Sequence, residues 1–513
     1  MRLETLLAGL EQPTLALHAG STGEPDLATT EITALAYDSR QVQPGGLFLA
    51  VPGEHTDGRR FLEDAARRGA VAALGPRIES GDVPLPYIEV AEMRAALADL
   101  ACTFYGQPAQ QLCTIGVTGT DGKTTTSNLI STILDAAGKR NGLMTTANFK
   151  VSGQEWANPS RQSTLEALDI QQFLRRLLDE GATHAVIEST SHGLELQRVR
   201  GCAFDLGVVT NITHEHLDFH KTIENYRRAK ARLFEMLDPE RDKGFGVRPA
   251  AILNQDDVSY EILKPYCRVP IVSYGIDTPA TIRAVDLDLG AERTRFRAIL
   301  PNGEIRIETR LVGRFNVSNC LAALAASWSL GISPTLIAET LATVHGVTGR
   351  MERIDEGQPF TVIVDYAHTP DSLGKVLNIL RPLTSGKLMA VFGSAGERDR
   401  QKRPIMGRIA AQMTDFFVIT DEDPRDEDRW QILREIAAGA RSVNKNEGND
   451  FLLIADRREA IAAAFARARQ GDTILLAGKG HEQSIILGTN KVPWDDRRVA
   501  REQLAVLSTK KKI

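Results

Sequence analysis

The stretch GVTGTDGKTTT, residues 116–126, sets glycines, one lysine and a threonine run at the end of the apolar segment LCTIGV. Leu129, Ile130, Ile133, Leu134 and Ala137 then recur at helical spacing, so 119–124 forms a strand–loop–helix junction. Gly119 and Gly122 permit a tight turn that exposes backbone N–H groups, and such amides at a helix N-terminus make an anion nest. Lys123 adds a point charge for outer phosphates and Thr124 a hydroxyl for Mg2+. The general phosphate-loop pattern has a glycine where this chain has Val117, so the spacing here is GxxGKT. A plain glycine turn is the simpler account, but Gly-Lys-Thr-Thr in this setting favours a bound nucleotide.

A phosphate-bound Mg2+ needs oxygen ligands. AVIESTSHGLELQR places Glu188 at the end of an apolar strand, and VVTNITHEHLDFH places His216, Asp218 and His220 just past the next one. Each alone reads as a cap or core residue, but two such clusters at successive strand ends after a phosphate loop point to a site. In TIENYRRAKARLFEML, Tyr226, Lys230, Leu233 and Phe234 share one helical face, so Lys230 lies on the apolar side. Spacing alone favours a snorkelling lysine whose ammonium escapes to water. The other reading is a desolvated lysine, whose neutral amine can take up carbon dioxide as a carbamate and so become a metal-binding anion.

These residues must be positioned by several cores. A chain of 513 residues predicts three domains. Residues 1–106 form a small α/β unit, with strands at LAYDS, GLFLAV, AVAALG and PYIEV and a helix at DGRRFLEDAARRG. YGQPAQQ then reads as a linker into a larger α/β unit, 107–345, with strands at HAVIE, LGVVTNI and AAILN. A second break falls near VHGVTGRMERI. In 346–513 strands and helices alternate: FTVIVDYA, LMAVFG, DFFVITD, FLLIAD and DTILLAG separate DSLGKVLNILRPL, KRPIMGRIAAQM, DRWQILREIAAGA and REAIAAAFARAR. This predicts a mostly parallel, doubly wound sheet, with one ligand surface formed by DYAHT, GSAGERD, DEDPR and GKGHE at its strand ends. The formal net charge of -5 gives no footprint for nucleic acid. Five cysteines without paired spacing argue against disulfides and zinc, and fit a reducing cytoplasm. MRLETLLAGLEQP carries acids in its short apolar run, unlike a signal peptide, and no apolar run is long enough to span a bilayer. The expected state is a monomer acting on small molecules.

The ordered set GVTGTDGKTTT, ESTSHGLELQRV, TNITHEHLDFH, YRRAKARLF, AAILNQDD, GRFNVSNCLAALAA, GRMERI, VDYAHTPDSL, ERDRQKRPIMG and AGKGHE resembles the Mur ligases over nearly the whole chain. DSRQVQPGGLFLAVPG and DEDPR make it similar to the type that adds a diamino acid to UDP-N-acetylmuramoyl-L-alanyl-D-glutamate. The resemblance implies a UDP-binding domain, a central ATPase domain and a Rossmann-like domain. It implies ATP contacts at Gly119, Thr120, Asp121, Gly122, Lys123, Thr124, Thr125, Asn254, Arg350, Asp365 and His368. It implies two Mg2+ sites drawing on Thr124, Glu188, His216 and Lys230, with Lys230 as the N6-carboxylysine carbamate, against the spacing-only reading. Ser39 matches a uridine-side contact, and Gln162, Ser163, Thr164, Thr190 and Arg198 match residues around the UDP-muramoyl peptide. Arg398, Glu422, Asp423, Pro424, Arg425, Gly478 and Glu482 match contacts to the incoming amino acid.

The implied chemistry is activation of the D-glutamyl side-chain carboxylate as an acyl phosphate, followed by attack of an amine. Lys123, Glu188, His216 and Lys230 are the implied catalytic group. The departures are Gln-Ser-Thr for Asn-Thr-Thr at 162–164, Thr190 for serine, GSAGERD for Gly-Cys-Gly-Gly-Asp-Arg-Asp, and Asp423 for the asparagine of Asp-Asn-Pro-Arg. Arg425 retains a fork for a substrate carboxylate and favours meso-2,6-diaminopimelate. Asp423 suits an ammonium, which keeps L-lysine and L-ornithine as rivals, unless Asp423 pairs with Arg425. A regulatory phosphate-loop NTPase is the remote alternative.

Overall fold

The computed structural model describes residues 1–510 except 13, 21, 22, 24, 25, 54, 55, 79–82, 161, 214–216, 291 and 292, and excludes the side chains at 217, 218 and 508–510. By contacts the chain divides into two units. One comprises Met1–Val285, Arg297–Arg306 and Ser318–Leu341, the other Asp286–Phe296, Ile307–Val317 and Ala342–Ile513.

The first unit contains two sheets. The N-terminal sheet has the spatial order Ala16–His18, Tyr87–Glu89, Ala70–Gly75, Gly46–Leu49, Ala34–Ala36. Its last four strands are parallel and Ala16–His18 is antiparallel. Alternation of strand and helix gives that parallel pairing, and Leu47, Leu74 and Ile88 bury against Leu97 and Leu100 of the helix Met93–Phe104. The helix expected at DGRRFLEDAARRG is a short 3-10 turn, Gly58–Phe61, followed by Leu62–Arg67. Asp57 starts it by accepting the Arg59 N–H.

The second sheet has a parallel core in the order Ile271–Gly275, Ala250–Asn254, Leu206–Val209, Cys113–Thr118, His184–Glu188, Asn141–Met144. Cys113–Thr118 lies near its middle and is buried along its whole length, which is why LCTIGV reads as an unbroken apolar run. The antiparallel strands Asn148–Val151 and Gln154–Ala157 extend the sheet beyond Asn141–Met144. The helix Ile223–Glu235 packs closely on this sheet: a Cβ at Gly116 would lie 2.6 Å from Leu233.

The second unit contains the doubly wound sheet, in the order Glu352–Ile354, Thr361–Asp365, Thr473–Ala477, Leu388–Phe392, Phe416–Ile419, Phe451–Leu453. All strands run parallel except Glu352–Ile354. Thr473–Ala477 is last in sequence of the parallel strands yet sits between the first two of them. Both faces are covered, one by a cluster including Leu377, Met406 and Ile436, the other by one including Ile461, Phe465 and Leu504. The helix Pro370–Leu383 opens on a capping box between Thr369 and Ser372, with proline at its first position. Among the described residues no helix is long and apolar enough to cross a membrane.

Candidate active site

The phosphate loop, Glu188 and the four clusters of the doubly wound sheet lie at the carboxyl ends of parallel strands, where an open α/β sheet leaves room for a ligand. In the first unit Gly119 and Gly122 adopt φ of 145° and 82°, and Gly122 precedes the helix Lys123–Ala136. A Cβ at Gly119 would fall 1.9 Å from the Thr210 hydroxyl, and one at Gly122 2.3 Å from Asn319 Oδ1. Both glycines are therefore required by backbone angle and by space. The loop is also tied from the neighbouring strand end. The Thr120 N–H donates to Asn211 O at 2.8 Å and the Asp121 N–H to Asn211 Oδ1 at 3.0 Å. Lys123 Nζ folds back onto Thr120 O at 2.7 Å, while Thr125 is buried within the first helical turn.

Glu188 ends the strand His184–Glu188, beside Val117, and is 1% exposed. Its carboxylate accepts from the Thr124 hydroxyl at 2.9 Å, the Thr146 N–H at 3.0 Å and the Thr146 hydroxyl at 2.9 Å. Thr124 and Glu188, each expected near Mg2+, are thus in direct contact. His216 lies outside the described residues. Among the described residues no group of three or more His, Cys, Asp or Glu could hold a metal. The hydroxyl and carboxylate oxygens of Thr124 and Glu188 are the hard donors that Mg2+ takes.

Lys230 overturns the spacing-only expectation. It is 1% exposed, and Nζ turns inward to donate to Gly119 O at 2.6 Å, above the Tyr226 ring at 4.5 Å. The tight approach of its helix leaves the stem no route to water. Tyr226 in turn lies 2.9 Å, oxygen to oxygen, from the Thr120 hydroxyl. Asn254 ends the next strand but one and is buried, its Nδ2 donating to Thr210 O at 2.7 Å.

A second group lies on the same unit. The Thr164 hydroxyl donates to Glu188 O at 2.9 Å and lies 3.1 Å from the Thr190 hydroxyl, which caps the helix Ser191–Glu195. Arg198 donates to Thr164 O at 3.0 Å and pairs with Glu166 at 2.6 Å, and Arg94 approaches Glu166 at 3.5 Å. A cleft of about 400 Å3 opens beside these arginines, lined by Pro52, Pro76, Glu92, Arg94, Glu195, Gln197 and Arg232. Gln162 is exposed and Ser163 half-buried, with the Gln162 carbonyl accepting from Asn158. Ser39 stands apart, buried in the N-terminal sheet domain and hydrogen-bonded to Asp64.

In the second unit the four expected clusters meet. Asp365 accepts the Met351 and Ala367 N–H groups, both at 2.8 Å, and its carbonyl accepts the Gly478 N–H at 3.1 Å. The Tyr366 ring carries His368 and His481 at 4.5 and 4.7 Å between centroids, and the Arg350 guanidinium at 4.9 Å. Burial and the nearby Lys402 push His368 down to about 4, and burial and Arg350 push His481 down to about 3. Both rings are therefore neutral at neutral pH. Arg350 Nε has no hydrogen-bond partner.

The GSAGERD and DEDPR loops are joined by the Gly396 N–H on Asp423 O at 2.8 Å, and by Arg403, fully buried, on Glu427 at 2.9 Å and Ala395 O at 3.1 Å. Gly396 passes so close to Pro424 that a Cβ would lie 2.0 Å from its carbonyl oxygen. Arg425 follows with φ of 55°, a left-handed angle that costs an arginine roughly 1–3 kcal/mol. Backbone bonds to Ile486 and Gly488 hold it there, and its Nε has no partner. Glu422 Oε2 is also buried without a partner, and burial raises the carboxyl above its ordinary range. Gly478, at φ of 106°, faces it. Asp423 meets Lys479 at 2.8 Å, and Lys479 meets Glu482 at 2.5 Å. Arg398 is exposed.

The structure thus brings together the phosphate loop, Glu188 and Lys230, and separately Arg350, Asp365, His368, Glu422, Asp423, Arg425, Gly478 and Glu482. Sequence reasoning missed Thr146, Tyr366, Lys402, Arg403 and Lys479. Lys479 stood in the quoted GKGHE, between two glycines at a strand end, and that position was its available signal.

Family models match in three consecutive pieces: "Mur ligase family, catalytic domain" over residues 31–105, "Mur ligase middle domain" over 117–327, and "Mur ligase, glutamate ligase domain" over 349–480. A UDP-N-acetylmuramyl-tripeptide synthetase of Roseiflexus sp. (strain RS-1) is 50% identical over 485 residues, covering 93% of this chain and 95% of that one. A UDP-N-acetylmuramoyl-L-alanyl-D-glutamate–2,6-diaminopimelate ligase of Geobacillus thermodenitrificans (strain NG80-2) is 44% identical over 502 residues, covering 98% and 99%. A solved structure of a ligase with that second name superposes with a TM-score of 0.64 at 31% identity, covering 94% of this chain and 97% of the other.

Proposed function

The chain belongs to the Mur ligase family, and from that premise we propose that it joins meso-2,6-diaminopimelate to UDP-N-acetylmuramoyl-L-alanyl-D-glutamate, cleaving ATP to ADP and phosphate, in the making of a peptidoglycan precursor. The observation that carries this reading is the phosphate loop: Thr124 bonded to the Glu188 carboxylate, with the buried Lys230 held on the same loop at Gly119 O. A regulatory NTPase needs the loop but not the buried lysine, nor the cluster around Arg425.

A carboxylate and an amine do not condense unaided in water. A D-glutamyl carboxylate oxygen attacks the γ-phosphorus, the bond to the bridging oxygen breaks, and ADP leaves. The neutral amine nitrogen then attacks the acyl carbon, inorganic phosphate departs with the carboxylate oxygen, and the nitrogen gives up one of its two protons to solvent. The first step brings anions together. The loop amides and Lys123 are assigned the task of countering charge where it develops. Mg2+, where bound, neutralises phosphate charge and polarises the reacting oxygens. Thr124, Glu188, His216 and the Lys230 carbamate are the residues that would hold it. A carbamate on Lys230 would carry the negative charge that a hard metal ion takes as a ligand.

Arg350, Asp365, His368 and Asn254 are assigned to the nucleotide, with the mutually tilted Tyr366, His368 and His481 rings packed beside Arg350. Thr164, Thr190, Arg198, Gln162 and Ser163 are assigned to the muramoyl peptide, beside the cleft at Arg94, and Ser39 to the uridine side. Arg425, with an unpartnered Nε, is assigned to the distal carboxylate of the amino acid, Glu422 with its unpartnered oxygen to the distal ammonium, and Arg398 and Pro424 to the same pocket. The assigned domains are 1–106, 107–345 and 346–513, and the enzyme is assigned to the cytoplasm as a monomer.

The test follows an oxygen atom. With oxygen-18 in the D-glutamyl side-chain carboxylate, complete turnover with diaminopimelate is expected to deliver label to inorganic phosphate. Unlabelled phosphate would overturn the acyl-phosphate route.

A further inference from the structure

Asp423 raises a question of charge. It stands where the pocket is to receive a substrate carboxylate through Arg425, two residues away, and an exposed aspartate there would repel that group. Its carboxylate does not face the pocket as a bare anion. Oδ1 accepts from Lys479 Nζ at 2.8 Å and from the Ile486 N–H at 2.9 Å. Lys479 is fully buried and also meets Glu482 at 2.5 Å. The strand Leu388–Phe392 lies between the strands that lead to these two residues, so the ion pair spans its carboxyl end. Gly393 keeps that end low, since a Cβ there would sit 2.2 Å from Thr420 O. One ammonium thus serves two acids, while Glu422 keeps a buried unpartnered oxygen and Arg425 an unpartnered Nε. A buried charge with its partner removed is costly, whereas a neutral pair of similar shape is well tolerated.

We propose that Lys479 is a positioning residue for amino-acid specificity: by holding the Asp423 carboxylate away from the substrate, it lets Arg425 select an amino acid with a second carboxylate over one ending in a simple amine. The inference rests on the ligase reading above and goes beyond it in naming what sets the choice. Without Lys479 the Asp423 charge faces the pocket, repels the distal carboxylate and attracts a terminal ammonium.

The experiment compares kcat/KM for meso-diaminopimelate and for L-lysine in full-length wild type, Lys479→Gln, and the double variant Asp423→Asn/Lys479→Gln, with KM and kcat resolved. Wild type is expected to prefer diaminopimelate. Lys479→Gln is expected to lower the diaminopimelate/lysine ratio at least about tenfold, mainly through the KM of diaminopimelate, because the buried Asp423 carboxylate loses its ammonium. The double variant removes the Asp423 charge together with its partner and leaves Glu482 as it stands in Lys479→Gln, so that the two variants differ only at Asp423; it is expected to recover the ratio to within about threefold of wild type, the coupling that a double-mutant cycle measures. It also guards against a single variant that fails to fold. Equal losses on both substrates in Lys479→Gln, or a double variant that does not recover the ratio, would overturn the role of Lys479 while leaving the ligase reading intact. A wild type that prefers L-lysine would overturn both the diaminopimelate assignment and this inference.

Discussion

Two lysines reach carbonyls of the same loop, Lys123 that of Thr120 and Lys230 that of Gly119, yet their settings differ. Lys123 is half-buried at the helix start, while Lys230 is 1% exposed among apolar side chains. Burial favours the neutral amine, the form that adds carbon dioxide. Two outcomes follow. Purging carbon dioxide from wild-type enzyme should lower ligation, and bicarbonate should restore it. Lys230→Ala should lose activity by about a hundredfold or more, the scale of a lost charge-stabilising group, while its thermal midpoint and ADP affinity change far less. Phosphate-release assays in sealed, carbon dioxide-free buffer check the first. Full activity in Lys230→Ala, or a wild type indifferent to carbon dioxide, rules the carbamate out. Helical spacing put Lys230 on the apolar face, but period alone cannot say whether its stem can reach water. The approach of the Ile223–Glu235 helix at Gly116 decides that, and it is a tertiary fact.

Strand ends and helix starts carry the site, and their tolerances are narrow. Gly122 has a left-handed φ of 82° and no room for a Cβ beside Asn319. A Gly122→Ala chain must either strain this turn, at roughly 1–2 kcal/mol for the left-handed angle alone, or shift the loop. Either change disturbs the amides assigned to phosphate. ADP affinity, by titration calorimetry, is expected to fall at least about tenfold, the ratio that 1.4 kcal/mol gives. Unaltered ADP binding would show that the loop does not hold the phosphates. This element was legible in the sequence because glycines stand between an apolar strand and an amphipathic helix. The braces across the other sheet were not. Arg403, Arg457 and Lys479 are buried cations, and hydropathy patterns place such residues outside. Arg457 pairs with Asp496, 39 residues along, while also donating to the carbonyls of Asp421 and Ala477. Lys479 finds Asp423 at a separation of 56 residues. Partners so distant have no local signature.

Across the whole molecule the alternation of strand and helix was readable, and the three-domain α/β architecture follows from it. The place of Thr473–Ala477 in the middle of its sheet was not, because strand order is set by crossover packing rather than by local pattern. Nor were Asn148–Val151 and Gln154–Ala157, whose polar residues hide a short edge hairpin. Dispersed burial has one global consequence. His184, His368 and His481 are all depressed by burial, to about 4, about 4 and about 3 from 6.5. Between pH 6.5 and about 4 the unfolded chain binds protons at these sites and the folded chain does not, so stability falls as pH falls through that window. Paired carboxylates act lower: Glu427, held down to about 2 by Arg403, supports the fold above 4.5 and loses its contribution as pH drops toward 2. Calorimetric midpoints should therefore decline in two stages, the histidine stage first. His184 separates them, since it lies outside the assigned site, beside Phe245, with Nδ1 bonded to the Thr183 hydroxyl. His184→Phe should decline less than wild type between about pH 6.5 and about pH 5, and match it below about pH 4, where its proton is no longer at issue. Parallel midpoint curves for the two chains would mean that His184 takes up its proton in the folded state and that burial does not govern the first stage.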